Sequence, residues 1–257
     1  MFIQENHTKT KLKQKLPVYG VISTSDDPQL AELFGLAGFD YYILDAEHGL
    51  IDPVQAVSVI RACELAGITP IVRIGPKDPK LVLQYLDAGM MGVMMPGIET
   101  RAEMQMLVDA VKYPPQGGRG VGLARASAYM AYSDKASEYI TFANENTLVI
   151  PQFEHPALLA SFETIFNVPG VDAVMLGPRD LSMAMGFPDG PNHPEVQQVI
   201  DQVIAACQVN NLVAGITAGT RTAAKTQIER GAMMILAPAQ PLIISAAKQF
   251  LNAGDAE

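Results

Sequence analysis

The feature that most constrains the fold is an alternation of two periods. Short apolar, β-branched runs are each followed by a longer amphipathic run, and Asp-Pro pairs or glycines stand at the joints. "PVYGVIST" (17–24), "FDYYILDAE" (39–47), "TPIVRIG" (69–75), "MGVMMPG" (91–97), "TLVIPQFE" (147–154), "VDAVMLGPRD" (171–180), "LVAGITAG" (212–219) and "AMMILAPA" (232–239) read as buried strands. The stretches 28–38, 52–67, 78–89, 100–113, 156–166, 193–211, 220–231 and 241–254 read as helices. Repeated strand-then-helix units build parallel sheets, and about eight of them predict a closed α/β (β/α)8 TIM barrel. An open doubly wound sheet is the alternative, and its nucleotide-binding form needs a glycine-rich turn after the first strand. That turn is "STSDDP" here, and "GGRGVG" (117–122) follows a helix, so it reads as a flexible loop.

A length of 257 residues suits one such barrel, with 1–16 as an N-terminal segment and 17–257 as a single domain. The chain is 49% hydrophobic and 18% charged, which excludes a mainly disordered protein. A net charge of -9 argues against a nucleic-acid partner, which would need clustered lysine and arginine to offset phosphates. Cys63 and Cys207 stand singly inside apolar helical patterns and read as buried free thiols of a reducing compartment. The first residues carry lysines but no uninterrupted apolar run, and no window approaches a membrane span. A cytoplasmic enzyme with no membrane partner is the expectation.

In a barrel of this kind catalytic groups stand at the C-terminal ends of the strands and in the loops that follow. Those ends supply Asp45, Glu47 and His48, then Arg73, then Gln152 with Glu154, then Asp180 after "LGP". Glu154 and Asp180 end consecutive strands; their oxygens suit a hard dication, or they pair with arginines or helix N-termini. His48 is either a general base oriented by a nearby carboxylate, Asp45 being the nearer candidate, or a structural histidine. Arg73 needs an anion or carbonyl, from the protein or from a substrate. His155 and His193 precede prolines and read as loop residues. The 13 methionines read as core filler. No lysine stands at these strand ends, which disfavours a Schiff-base mechanism.

The order and spacing of "FDYYILDAEHG", "PIVRI", "LDAGMMGVMMPGIET", "YPPQGGRGVG" with "LARAS", "IPQFEH" and "VDAVMLGPRDLSMAMG" resembles the HpcH/HpaI aldolases, from about residue 17 onward. These are metal-dependent class II pyruvate aldolases related to 4-hydroxy-2-oxoheptanedioate and 2-keto-3-deoxy-rhamnonate aldolases. The resemblance implies Glu154 and Asp180 as ligands of Mg²⁺, Mn²⁺ or Co²⁺. It implies Gln152 as a positioning group, and Gly177, Pro178, Arg179 and Asp180 as the cradle of the pyruvate carboxylate. His48 becomes the acid/base group with Asp45 as its partner, Arg73 faces the 2-oxo oxygen, and Asp87 enters a site across a subunit boundary. The implied reaction cleaves a 4-hydroxy-2-oxo acid to pyruvate and an aldehyde through an enolate. The implied assembly is a hexamer, a trimer of dimers that exchange C-terminal helices.

Three departures bear on specificity: Arg179 before the aspartate, "LAPAQ" at the eighth strand end, and "AEHGLID" in place of the commoner "GEHAPND". Oxaloacetate decarboxylation would share the enolate. Acyl-CoA cleavage of the citrate-lyase type would need a basic surface, and the chain has only 18 lysines and arginines. A catalytically inactive binding or assembly barrel is the non-enzymatic reading, against which His48, Arg73, Glu154 and Asp180 stand together.

Overall fold

The computed structural model describes residues 4–252. Eight parallel strands close into a barrel in sequence order. They are β1 (Val18–Ser23), β2 (Tyr41–Asp45), β3 (Thr69–Arg73), β4 (Gly92–Met95), β5 (Leu148–Phe153), β6 (Ala173–Leu176), β7 (Val213–Thr217) and β8 (Met234–Pro238). The helices are α1 (His7–Lys13), α2 (Pro28–Leu36), α3 (Pro53–Ala66), α4 (Pro79–Ala88), α5 (Arg101–Val111), α6 (Ala136–Asn146), α7 (Phe162–Phe166), α8 (Pro178–Ala184), α9 (Pro194–Val209), α10 (Arg221–Glu229) and α11 (Ala239–Asn252). The predicted barrel is therefore present, and its strands start at one end and present their C-terminal residues at the other.

The joints explain why the elements start where they do. Asp27, Asp52 and Asp78 each accept a hydrogen bond from a first-turn N–H, and each is followed by proline, which has no N–H to satisfy. Asp52 and Gln55 cap each other's backbone reciprocally. His155 and His193, expected as loop residues, are N-caps as well: their Nδ1 atoms accept from Ala157 and Glu195.

Inside the barrel, Val18, Tyr41, Ile43, Ile71, Met94, Ile150, Met175 and Leu236 belong to one buried cluster, and a larger one fills the space between strands and helices. Gly20 is there because the Tyr41 ring occupies the place of a side chain: a Cβ would stand 2.1 Å from it. The Tyr41 hydroxyl, buried with the ring, donates to the Ile235 carbonyl at 2.7 Å. Cys63 and Cys207 are buried free thiols, as predicted.

Helix α1, absent from the sequence-based expectation, plugs the N-terminal end of the barrel. Leu12 joins the interior cluster, while Asn6, Thr8 and Lys9 are buried with polar partners on five strand starts. Asn6 Nδ2 donates to the carbonyls of Met91 and Asn146, Thr8 Oγ1 to that of Asp40, and Lys9 Nζ to that of Thr147. Thr69 Oγ1 lies 2.8 Å from Thr8 Oγ1, and Lys9 Nζ pairs with Asp172 at 2.7 Å. A helix that buries polar residues against exposed strand backbone carries no hydrophobic period, so the 1–16 segment gave no helical signal. Residues 1–3 of that segment lie outside the described residues.

One further boundary differs from expectation. The sixth strand ends at Leu176, and Gly177 to Asp180 turn into α8. "GGRGVG" is a loop, as expected, and its buried Arg119 anchors it, lying over the Tyr113 ring at 4.6 Å and donating to Asp87 at 2.8 Å. The final helix holds to the barrel only through its first residues. Ala239 is its one buried residue among those described, and Ile243, Ile244, Phe250 and Leu251 are exposed; positions 253–254 of the predicted helix lie outside the described residues. No helix among the described residues is long and apolar enough to cross a membrane.

Candidate active site

The C-terminal rim gathers its charges in two layers. Arg73, the last residue of β3, sits in register with Asp45, the last residue of β2. Its Nε donates to Asp45 Oδ1 at 2.9 Å and a terminal nitrogen donates to Oδ2 at 2.6 Å, a two-pronged pair that fixes the guanidinium plane. Glu47 Oε2 lies 3.3 Å from the same Nε. Burial pulls the Arg73 pKa down, but Asp45, Glu47 and Glu154 outweigh it and hold the group above its ordinary value. The cation is permanent, and one terminal nitrogen remains outside the Asp45 pair.

The second layer is acidic. Glu154, just past β5, receives hydrogen bonds from Gln152 Nε2 on Oε1 (2.8 Å) and from the Gly97 backbone N–H on Oε2 (3.1 Å). Asp180, in the first turn of α8, approaches it over Gly177. A Cβ at Gly177 would stand 3.3 Å from Asp180 Oδ2 and 3.4 Å from Glu154 Oε1, so a side chain there would crowd both carboxylates. The Glu154 carboxyl is held above the usual range, first by burial and then by the charges of Asp180 and Glu47; Gly97 and Arg73 pull the other way. Gln152 Oε1 is buried and has no hydrogen-bond partner among the described residues. An unsatisfied buried acceptor beside two mutually repelling carboxylates fits a cation or a donor-bearing ligand.

This arrangement fits a divalent metal of the oxygen-preferring type. Among the described residues no group of three or more His, Cys, Asp and Glu converges, so Glu154 and Asp180 would be the carboxylates to hold such an ion.

One sequence expectation needs correction. Asp45 does not orient the His48 imidazole: its carboxylate is committed to Arg73, and it meets His48 only at the backbone N–H, at 3.4 Å. The nearest carboxylate to the imidazole is Glu47, with Nε2 to Oε2 at 3.9 Å, and the imidazole is 68% exposed at the rim. Asp87, expected to enter a neighbour's site across a subunit boundary, stands away from the rim of its own chain. It lies in the last turn of α4, hence at the N-terminal end of the barrel, paired with Arg119. Arg179 is exposed at the start of α8, with a guanidinium nitrogen near Gly190.

The family model described as HpcH/HpaI aldolase/citrate lyase matches residues 19–237. The chain belongs to this family. It is 35% identical over 244 residues to a 2-dehydro-3,6-dideoxy-6-sulfogluconate aldolase of Pseudomonas putida, covering 94% of each protein. It is 33% identical over 251 residues to a 4-hydroxy-2-oxo-heptane-1,7-dioate aldolase of Escherichia coli, covering 97% of this chain and 94% of that one. A crystal structure of an HpcH/HpaI aldolase from Desulfitobacterium hafniense superposes with a TM-score of 0.90 at 26% identity, covering 100% of this chain and 98% of that one. This HpcH/HpaI protein is a carbon–carbon lyase that works by aldolase-type cleavage.

Two groups of the HpcH/HpaI rim escaped assignment from sequence. Glu47, collected with the strand ends but given no role, contacts Arg73 and faces both His48 and Glu154 from the turn after β2. The Gly97 N–H that holds Glu154 had no signal at all, because a backbone donor is invisible in the residue type.

Proposed function

We propose that this protein cleaves 4-hydroxy-2-oxo acids to pyruvate and an aldehyde with a divalent metal held by Glu154 and Asp180. The observation that carries this reading is the pair of carboxylates brought together over Gly177, with Gln152 Oε1 left unsatisfied beside them. The bound cation would supply positive charge where negative charge develops on the 2-oxo acid.

The chain's own residues do the rest. Arg73, held in plane by Asp45, presents its remaining N–H groups toward the 2-oxo oxygen and favours the enolate over the starting ketone. Gly177 caps α8 without a side-chain hydrogen bond, so the first-turn amides at Arg179 and Asp180 are available for a substrate carboxylate. His48 takes the proton of the C4 hydroxyl as the C3–C4 bond breaks. The bonding pair passes into the enolate, the aldehyde leaves, and the proton returned to C3 gives pyruvate. Glu47 rather than Asp45 is the carboxylate that steadies the imidazolium.

The test is pyruvate release from 4-hydroxy-2-oxoheptanedioate and shorter homologues, using chelator-treated protein with and without Mg²⁺, Mn²⁺ or Co²⁺. Cleavage restored by one of these ions is expected; cleavage at full rate in the chelated protein overturns the metal assignment. Oxaloacetate decarboxylation, which needs the same enolate, serves as the comparison reaction.

The assembly belongs to the same reading. Ile243, Ile244, Phe250 and Leu251 on α11 are exposed, and Leu242 of the same helix lines an apolar slot of about 270 Å³ with Tyr19, Phe39 and Ala224. A second copy exchanging α11 would cover both, and a hexamer built from such pairs would bring Asp87 to a neighbour's rim. Light scattering is expected to give six chain masses; a monomer at micromolar concentration overturns the exchange.

A further inference from the structure

The end of the barrel away from the rim holds a second charged recess. It measures about 460 Å³ and is lined by Lys9, Lys13 and Lys15, from α1 and the turn after it, by Asp172, and by the amide side chains of Gln208 and Asn211. Its floor is apolar, from Leu12 and the starts of β5 and β7. Lys112 lies behind it, buried, with its ammonium 3.8 Å from Asp172.

The charges here do not balance. Three lysines and one carboxylate line the recess, in a chain whose net charge is -9. Asp172 is already committed, Oδ1 to Lys9 at 2.7 Å and Oδ2 to the Val149 N–H at 2.9 Å. Lys13 and Lys15 are exposed and make no ion pair among the described residues. Burial is the main cause that lowers the pKa of Lys112, behind the recess, to about 7; Lys9 and Lys13 add to the fall and Asp172 opposes it.

Lys15 provides an independent observation. It follows α1 with φ +58, and the hydrogen bonds Lys15 N–H to Leu12 O and Leu16 N–H to Lys11 O complete a left-handed helix stop. Glycine adopts that conformation without strain; a lysine there places a long cation at the recess against the preference of its backbone.

We propose that this recess binds a small oxyanion carrying at least two negative charges, a phosphate or a dicarboxylate, which clamps α1 onto the barrel. Such an anion offsets the excess of ammonium groups, accepts hydrogen bonds from the lysines and amides, and leaves room for an organic body against the apolar floor. Because α1 ties together the starts of β2 to β6, occupancy stabilises the folded chain by mass action without touching the rim.

Thermal unfolding of the assembled full-length protein, titrated separately with sodium phosphate and sodium succinate against sodium chloride of equal ionic strength, tests this. A saturable Tm rise of about 5 °C is expected at roughly a hundredfold excess over Kd. It is expected to vanish in the double variant Lys13→Gln, Lys15→Gln and to shrink in Lys15→Gly, which relieves the backbone as it removes the charge. Saturation by phosphate alone identifies a phosphate group, by succinate alone a dicarboxylate, and by both the shared chemistry. A rise that never saturates, or that is equal in wild type and variants, is the ordinary salting effect and overturns the proposal.

Discussion

Replacing Glu154 by glutamine is expected to lower pyruvate release by about a thousandfold or more while leaving the protein no less stable. The substitution keeps the shape of the side chain and removes one of the two carboxylate charges that face each other over Gly177. In the metal-free protein that charge is unfavourable: burial and the neighbouring Asp180 and Glu47 hold the Glu154 carboxyl above its ordinary range. Its removal relieves repulsion, so Tm without metal should be equal or higher, the usual sign of a group kept for function at the expense of stability. Added Mn²⁺ is expected to raise the Tm of the wild type and not of the variant. Activity within about tenfold of wild type in Glu154→Gln would remove this residue from the chemistry, because a lost electrostatic contact at a reacting centre costs more than that.

Arg73 is expected to separate rate from stability in a different way. Arg73→Ala should lower kcat/KM by about a thousandfold and also destabilise the fold by roughly 3 kcal/mol, since it strands the buried Asp45 carboxylate without its partner. Arg73→Lys restores a cation for Asp45 and should recover most of the stability. It should not recover the rate, because an ammonium cannot keep the two-pronged pair with Asp45 and still offer oriented N–H groups to the 2-oxo oxygen. Rates from a kcat/KM series and denaturant midpoints on both variants decide the point. A lysine variant with near wild-type kcat/KM would reduce Arg73 to a structural counter-ion of Asp45.

Much of the barrel was legible in the chain because its signals are local. The strands are apolar enough to be buried on both faces, and the Asp-Pro joints carry their own capping chemistry, so period and punctuation agree. The rim residues Asp45, Arg73, Gln152, Glu154 and Asp180 could be collected because barrel topology places strand ends on one circle. The partners of those residues could not. Asp45 is three residues from His48 and twenty-eight from Arg73, and it pairs with Arg73, because adjacent parallel strands in register bring their final side chains together while the chain between Asp45 and His48 turns away. Sequence distance was the wrong measure of proximity there.

Helix α1 and the lysine recess show the same limit at the other end. A polar segment with one buried leucine gives no helical period, and only the exposed backbone of five strand starts supplies the acceptors that make Asn6, Thr8 and Lys9 worth burying. The sequence by itself determined the architecture, the family and the identity of the rim groups, since these follow from periodicity and from residue type at strand ends. The tertiary structure alone decided which carboxylate serves Arg73 and which faces His48. It also placed Asp87 at the end of the barrel opposite the rim and gathered Lys9, Lys13 and Lys15 with Asp172 around one recess. Those are questions of distance between segments far apart in the chain, and Coulomb and hydrogen-bond energies depend on that distance and not on the number of residues between them.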